Sequence, residues 1–186
     1  MIDIQVLTTL ADVDLLQVMS GYNSHERYAV SVEETEPLTT FQLRLERLSQ
    51  PYTRDFRSGL TLGDIQRYLQ LLPQGLCLAA WVDGQVAGIA IAGAEIWNGT
   101  LWIWEFHVAP AFQRMGVGRR LMDTLAQLAR ARGLRTLRVE TQNTNVPAIR
   151  FYRSLGFHLE GIDVSFYSND DLTSGEVALF LKRRLD

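Results

Sequence analysis

Residues 101–130 read LWIWEFHVAPAFQRMGVGRRLMDTLAQLAR, and this stretch decides the fold. Leu101 to Val108 is an apolar run of the length expected for a buried strand. A turn containing Gln113-Arg114-Met115-Gly116-Val117-Gly118 follows. Beyond it, Leu121, Met122, Leu125, Leu128 and Ala129 recur at the spacing of one face of an amphipathic helix. A strand that passes through a glycine turn into a helix is an anion site. The first helical N–H groups have no partner within the helix, and the dipole is positive there. Gly116 and Gly118 carry no Cβ, so a ligand can come close to the backbone. Arg114, Arg119 and Arg120 add positive charge. The spacing is neither that of the nucleotide P-loop nor that of the dinucleotide fingerprint.

Downstream of this stretch, Gly133 closes the helix 116–131. Arg135 to Thr141 alternates Leu137 and Val139 against Arg138 and Glu140 and reads as a strand. Strand, helix, strand with short connections predicts a right-handed crossover and a parallel pair. Asn145 and Pro147 start another helix, which Gly156 stops. Residues 157–164 and 176–181 read as the last two strands, with a turn-rich 168–175 between them. Upstream, strands 76–82 and 85–92 are joined by an Asp83-Gly84 hairpin turn, so three antiparallel strands form a meander that ends in Leu101–Val108. Ile2 to Leu7 is a first strand and Asp12 to Ser20 a short helix. Thr61 and Asp64 form a helix start that runs to about Leu71, followed by a turn at 73–75. Residues 21–37, polar and acidic with Glu33, Glu34 and Glu36, read as loop or irregular helix. Residues 38–48, apolar at 38, 41, 45 and 48, read as a helix that Pro51 ends. Residues 51–57 read as an aromatic and charged loop.

The 186 residues, 47% apolar and 21% charged, fit one globular domain with a sizeable core. A net charge of -3 argues against a nucleic-acid binder that works by bulk electrostatics and favours cationic partners. Cys77 is alone, so no intrachain disulfide forms and a reducing, cytoplasmic compartment is expected. Its apolar setting marks it as a small buried hydrophobe. Asp3 and Asp12 interrupt the N-terminus, so no signal peptide is read. No apolar run has the roughly 18 residues of a membrane span. His25, His107 and His158 are scattered and no metal site is expected. The oligomeric state is open, a homodimer included.

Two motifs carry a resemblance. Val108-x4-Gln113-Arg114-x-Gly116-x-Gly118, and Asn145-x2-Ala148-x3-Tyr152-x3-Gly156-Phe157, resemble the two motifs of the GNAT N-acetyltransferase superfamily, over about Leu76 to Arg184. The resemblance implies a mixed α/β (α+β) fold. Its central sheet would be mostly antiparallel, with about seven strands flanked by helices and splayed between the family's fourth and fifth strands. The whole chain, 1–186, would be one domain, with substrate-side elements in 1–75 and an acetyl-CoA-binding core in 76–186. The reaction implied is transfer of an acetyl group from acetyl-CoA to a primary amine, by direct attack in a ternary complex and without a metal. In that reading Gln113, Arg114, Met115, Gly116, Val117, Gly118 and Arg119 hold the pyrophosphate. The backbone of Phe106, His107 and Val108 pairs with the pantetheine arm, which Asn145, beside Ala148, also binds. Val108 N–H serves the oxyanion and Tyr152 is the general acid. Glu140 is the base, at a place that resembles the proposed base of ribosomal-protein N-terminal acetyltransferases. Glu105 is its rival. Strand alternation groups Glu105 with Ile103 and His107, opposite Trp102, Trp104 and Phe106, unless a bulge breaks the parity. The bland alternatives are a core ring for Tyr152 and a structural carboxylate for Glu105.

Past this core, Glu140-Thr141-Gln142-x2-Asn145-Val146-Pro147-Ala148, Gly161-Ile162-Asp163, Phe166-Tyr167, Glu176-Val177-Ala178 and Pro51–Phe56 resemble the streptothricin acetyltransferase group. That group acetylates a cationic antibiotic and so confers resistance. If it extends to the acceptor, the resemblance implies a pocket lined by Tyr52, Asp55, Asp163, Tyr167 and the acidic 33–36 segment, with Glu105 on the substrate side. Aromatic faces and carboxylates suit an ammonium. Asp55 and Asp163 can equally well hold their own loops. A protein N-terminal or lysine acetyltransferase, and a coenzyme A-binding module without catalysis, are the other readings.

Overall fold

The structure is a computed structural model and describes residues 1–11, 13 and 15–185. The elements in chain order are β1 (Ile2–Val6), α1 (Leu15–Val18), β2 (Tyr22–Thr35), β3 (Leu38–Arg54), α2 (Leu62–Leu71), β4 (Leu78–Val82), β5 (Gln85–Glu95), β6 (Thr100–Val108), α3 (Val117–Ala131), β7 (Thr136–Gln142), α4 (Val146–Ser154), β8 (His158–Asp163), α5 (Asp171–Ser174) and β9 (Ala178–Arg184). Seven strands form one sheet in the order β1-β4-β5-β6-β7-β9-β8, and β2 and β3 form a sheet of their own. Two compact units result. One comprises 1–21, 55–139 and 183–186, and the other 22–54 and 140–182.

The first unit follows the sequence closely. The Val82↔Gln85 pair closes a two-residue hairpin, and both turn residues have positive φ, Asp83 at 50° and Gly84 at 78°, as that turn demands. Thr61 caps α2: its hydroxyl accepts from Asp64 N–H while the Asp64 carboxylate accepts from Thr61 N–H. The core beneath α1 and α2 gathers Leu7, Val18, Met19, Tyr68, Leu72, Cys77, Ile89 and Ile91. Cys77 is fully buried there, and burial pushes its thiol pKa up. α3 buries Val117, Leu121, Met122, Leu125 and Ala129. Each of the four larger side chains contributes roughly 1.5–3 kcal/mol. The predicted parallel pair is present, with β6 and β7 in register from Thr100↔Thr136 to Ile103↔Val139. β6 continues to Val108, five residues beyond the last of these pairs. Of the expected helix 12–20 only Leu15–Val18 is helical; Asp12 and Asp14 lie outside the described residues.

The second unit overturns two expectations. Residues 21–37 are strand β2, not loop or irregular helix, and residues 38–48 are the first part of strand β3, not a helix. Pro51 lies inside β3 rather than ending an element. Tyr28, Val30 and Val32 face Leu45, Leu43 and Phe41 across the pair, while Ala29 and Ser31 face Arg44 and Gln42. This two-residue alternation is what a pleated hairpin requires. The hairpin stem is tied down through Asn143, which is 2% exposed. Tyr28 N–H donates to the Asn143 carbonyl and Asn143 Nδ2 to the Tyr28 carbonyl. On its other side Asn143 exchanges two bonds with Val177. Arg150 of α4 adds an ion pair to Glu26 at 2.6 Å.

Candidate active site

Two left-handed residues shape the turn that enters α3: Arg114 at φ 62° and Gly116 at φ 87°. Gly116 is the N-cap of α3 and supplies no side-chain cap, and a Cβ placed there would meet nothing within 4 Å. The first-turn N–H groups and the dipole of a 15-residue helix therefore open onto an uncrowded backbone. Beside them a groove of about 420 Å³ is lined by Gly116, Arg119, Arg120, Asp123, Thr124 and Gln127. These features fit a diphosphate. Met115 is exposed. The Gln113 side-chain amide donates to the Val108 carbonyl at 3.3 Å and so pins the loop to the end of β6.

Gly88 explains why α3 comes so close to that strand end. A Cβ on Gly88 would stand 2.8 Å from the His107 carbonyl oxygen and 3.1–3.2 Å from Leu121 and Val117. Ala109 N–H donates to the Ala87 carbonyl. In an antiparallel ladder hydrogen-bonded and non-hydrogen-bonded pairs alternate. Gly88↔Val108 and Ala90↔Phe106 are therefore the non-bonded kind. The N–H groups of Val108 and Phe106 point away from β5, toward the opposite edge of β6.

A bulge corrects the parity expected for β6. Ile91 pairs with Glu105 but Ala92 pairs with Ile103, so Trp104 is the extra residue. Ile91 and Ala92 face opposite sides of the sheet, and so must Glu105 and Ile103. Glu105 instead shares its side with His107, Ile89 and Ile91. There the buried Tyr68 hydroxyl donates to Glu105 Oε1, and His107 Nε2 lies 2.7 Å from Glu105 Oε2. The Phe56 ring meets His107 edge-on. Burial first, then the Glu105 charge, drives the Tyr68 phenol pKa up. Along the same strand Trp102 and Trp104 stack at 4.5 Å, with Arg138 over the former and Arg67 over the latter.

In the second unit, carboxylates and tyrosines come together. The Tyr167 hydroxyl donates to Glu140 Oε1. Burial, then Glu140, then more weakly Glu176, acts on that phenol, and its pKa rises. Tyr52 donates to Glu176 Oε1 at 2.8 Å, and Arg54 donates to Glu176 Oε2 at 3.0 Å. The Tyr22 and Tyr52 rings stack at 6.2 Å, and Tyr22 Oη lies 2.7 Å from Thr144 Oγ1. Tyr152 is 7% exposed and packs against Phe151 and Phe157.

Several expected site residues have local duties. Asn145 Oδ1 accepts from Ala148 N–H and caps α4. Asp55 is bound by Arg57 through its side chain and backbone N–H, which hold the carboxyl at about 2. Asp163 accepts from Ser165 N–H. Glu33, Glu34 and Glu36 stand at the exposed hairpin tip, about 35 Å of strand beyond the Ser24↔Tyr52 pair. They line no pocket with Tyr52, contrary to expectation. Glu176, Tyr22 and Thr144 went unread as site residues. Only the quoted Glu176-Val177-Ala178 run pointed toward the first of them.

The acetyltransferase (GNAT) family pattern matches residues 41–157. A streptothricin acetyltransferase of Streptomyces lavendulae is 39% identical over 104 residues, 56% of this chain and 54% of that protein. The chain thus spans about half the length of this curated relative. The crystal structure of nourseothricin acetyltransferase superposes with a TM-score of 0.75 at 26% identity, covering 100% of this chain and 98% of that one. A putative streptothricin acetyltransferase from Bacillus anthracis, solved in complex with acetyl coenzyme A, shares the fold with a TM-score of 0.79 at 23% identity, over 99% of each chain. With the family pattern spanning more than half of its length, this chain belongs to the GNAT acetyltransferase family.

Proposed function

We propose that this chain moves an acetyl group from acetyl-CoA to a primary amine of a small cationic acceptor of the streptothricin type. The carrying observation is the convergence of Glu140 with Tyr167 and of Glu176 with Tyr52. Two carboxylates and three tyrosines, with the Arg54 guanidinium bonded to Glu176, suit an ammonium-bearing ligand. The cofactor reading is supported by the family and by the bound acetyl coenzyme A of the Bacillus anthracis relative.

When bound, acetyl-CoA supplies an activated thioester. The α3 first-turn amides hold its diphosphate, with Arg119 and Arg120 alongside. Val108 N–H, directed away from β5, donates to the carbonyl oxygen as charge gathers on it. An amine attacks only as its free base, and a free ammonium has a pKa of about 10. Glu140 accepts that proton. Tyr152 gives a proton to the departing sulfur. Glu105, bound on both oxygens by Tyr68 and His107, anchors α2 to β6.

Thiol release measured over a panel of amines tests the reading. Fastest turnover is expected with a β-lysyl-bearing streptothricin, and slow turnover with N-terminal peptides and neutral amines. Preference for a peptide, or no turnover with any cation, would overturn it.

A further inference from the structure

The segment between β8 and β9 holds a buried carboxylate to which the reaction described above gives no part. Asp171 is 1% exposed. Its Oδ2 accepts from Tyr167 N–H at 2.9 Å, and its Oδ1 accepts from Ser168 N–H and from the Ser168 hydroxyl, each at 2.8 Å. Burial alone would push its pKa up, but the bonds from Tyr167, Ser168 and Phe166 together hold it down. A buried charge needs such partners, and these partners all belong to one backbone corner. Phe166 packs edge-on against Phe180 of β9 at 5.4 Å and against the Tyr167 ring at 5.1 Å. The backbone at Tyr167 is thereby fixed, and with it the direction of the side chain.

The phenol at the end of that side chain meets β7. Strand alternation places Glu140 and Gln142 on one face. The Tyr167 hydroxyl donates to Glu140 Oε1. Burial and then Glu140 raise the phenol pKa, and a side-chain hydrogen bond with Gln142 opposes the rise, as a donor to the phenol oxygen does. With the oxygen so occupied, the hydroxyl proton is directed at Glu140. We infer that Tyr167 is a positioning residue for Glu140, and that Asp171 acts one step further back by holding Tyr167. The inference rests on Glu140 as the proton acceptor proposed above. A base on a flexible side chain must be both aimed and charged when the ammonium arrives. The Tyr167 bond fixes one oxygen of the carboxylate, and a donated hydrogen bond favours its charged form. Two further charges bear on this contact. Arg138, two residues back on the same face of β7, lies over the Trp102 ring. Glu176 acts on the Tyr167 phenol and is itself held by Tyr52 and Arg54. Both stay in place when the Tyr167 hydroxyl alone is removed.

The pH dependence of kcat/KM with streptothricin and acetyl-CoA tests this, together with carbon-13 titration of the Glu140 carboxyl in the protein without ligands. The carboxyl signal is assigned by its loss in Glu140→Gln. Tyr167→Phe keeps the ring and deletes the donor. It should move the acid limb of the rate profile and the carboxyl titration up by about one pH unit. It should also lower kcat about 10-fold and leave KM for acetyl-CoA unchanged. Asp171→Asn keeps the size of the side chain and loses its charge and one acceptor. It should lower kcat by a similar factor. The double variant should be no slower than Tyr167→Phe, since both changes act through one contact. Tyr167→Phe keeps the test open if Asp171→Asn fails to fold. An unmoved limb and titration in Tyr167→Phe, with a raised KM for streptothricin, would make Tyr167 a wall of the acceptor pocket and overturn the inference. Additive losses in the double variant would overturn the role given to Asp171. Full turnover in Glu140→Gln would instead overturn the reading on which the inference rests. The titration needs no acceptor, so it decides the Tyr167–Glu140 contact even if streptothricin is not used.

Discussion

Glu140 and Glu105 are one residue type in two different settings, and the roles we propose for them differ accordingly. Glu105 has both oxygens committed, to Tyr68 and to His107, on the α2 side of the sheet. Removing it strands a buried hydroxyl, which costs about 1–3 kcal/mol. Glu105→Ala should therefore lower the denaturant midpoint, while turnover of the molecules still folded stays within a few-fold. Glu140→Gln should do the reverse: kcat/KM falls on the order of 100-fold with little change in the midpoint. Tyr152→Phe keeps the ring packing with Phe151 and Phe157 and deletes only the hydroxyl. It should lower kcat by about 10- to 100-fold and leave KM for acetyl-CoA unchanged. Steady-state kinetics on the three variants decide the assignment, and equal kcat in Tyr152→Phe would remove that residue from the mechanism.

At the scale of elements, the helix–strand core was legible because its signals were local. A capping box at Thr61, a turn at Asp83-Gly84 and a glycine-headed helix at 116 each announce themselves within a few residues. The hairpin was not, because Leu38, Phe41, Leu45 and Leu48 satisfy a helical spacing while Phe41, Leu43 and Leu45 satisfy a strand spacing in the same residues. Pairing with Tyr28, Val30 and Val32 settles the ambiguity, and pairing is not written in either segment alone. The Trp104 bulge escapes for the same reason, being defined only against Ile91 and Ala92. The Tyr52–Glu176 contact joins residues 124 apart in sequence and has no local sign at all. Gly88 is an element-scale constraint of this hidden kind. A methyl there meets the His107 backbone oxygen at 2.8 Å, which cannot rotate aside, and the Val117 and Leu121 side chains at 3.1–3.2 Å, so the end of β6 and the first turn of α3 must both shift. Gly88→Ala should cost about 1–3 kcal/mol in chemical denaturation. Because the diphosphate site we propose lies on that turn, KM for acetyl-CoA should rise as well. A stable variant with unchanged KM would show that the close approach is not needed.

Over the whole molecule, four phenols report on both units at once. Tyr68 lies in the first unit, and Tyr22, Tyr52 and Tyr167 in the second. All four have pKa values raised, with burial as the leading cause and carboxylates adding to it: Glu105 for Tyr68, Glu140 for Tyr167, Glu176 for Tyr52 and Tyr22. A group whose pKa is higher folded than unfolded favours the fold while protonated. Its contribution is complete below the unfolded value of about 10 and is lost as pH climbs through the folded one. Acid leaves this term intact, so the loss is confined to alkaline pH. Absorbance at 295 nm should show tyrosine ionisation lagging behind that of a free tyrosine amide. The lagging fraction should ionise together with the collapse of the far-ultraviolet circular dichroism, since deprotonation sets a phenolate against a carboxylate in the Tyr68–Glu105, Tyr167–Glu140 and Tyr52–Glu176 pairs. Full ionisation by roughly pH 11, with the dichroism intact, would mean that water reaches these hydroxyls freely and that the carboxylate–tyrosine cluster is too open to hold an ammonium.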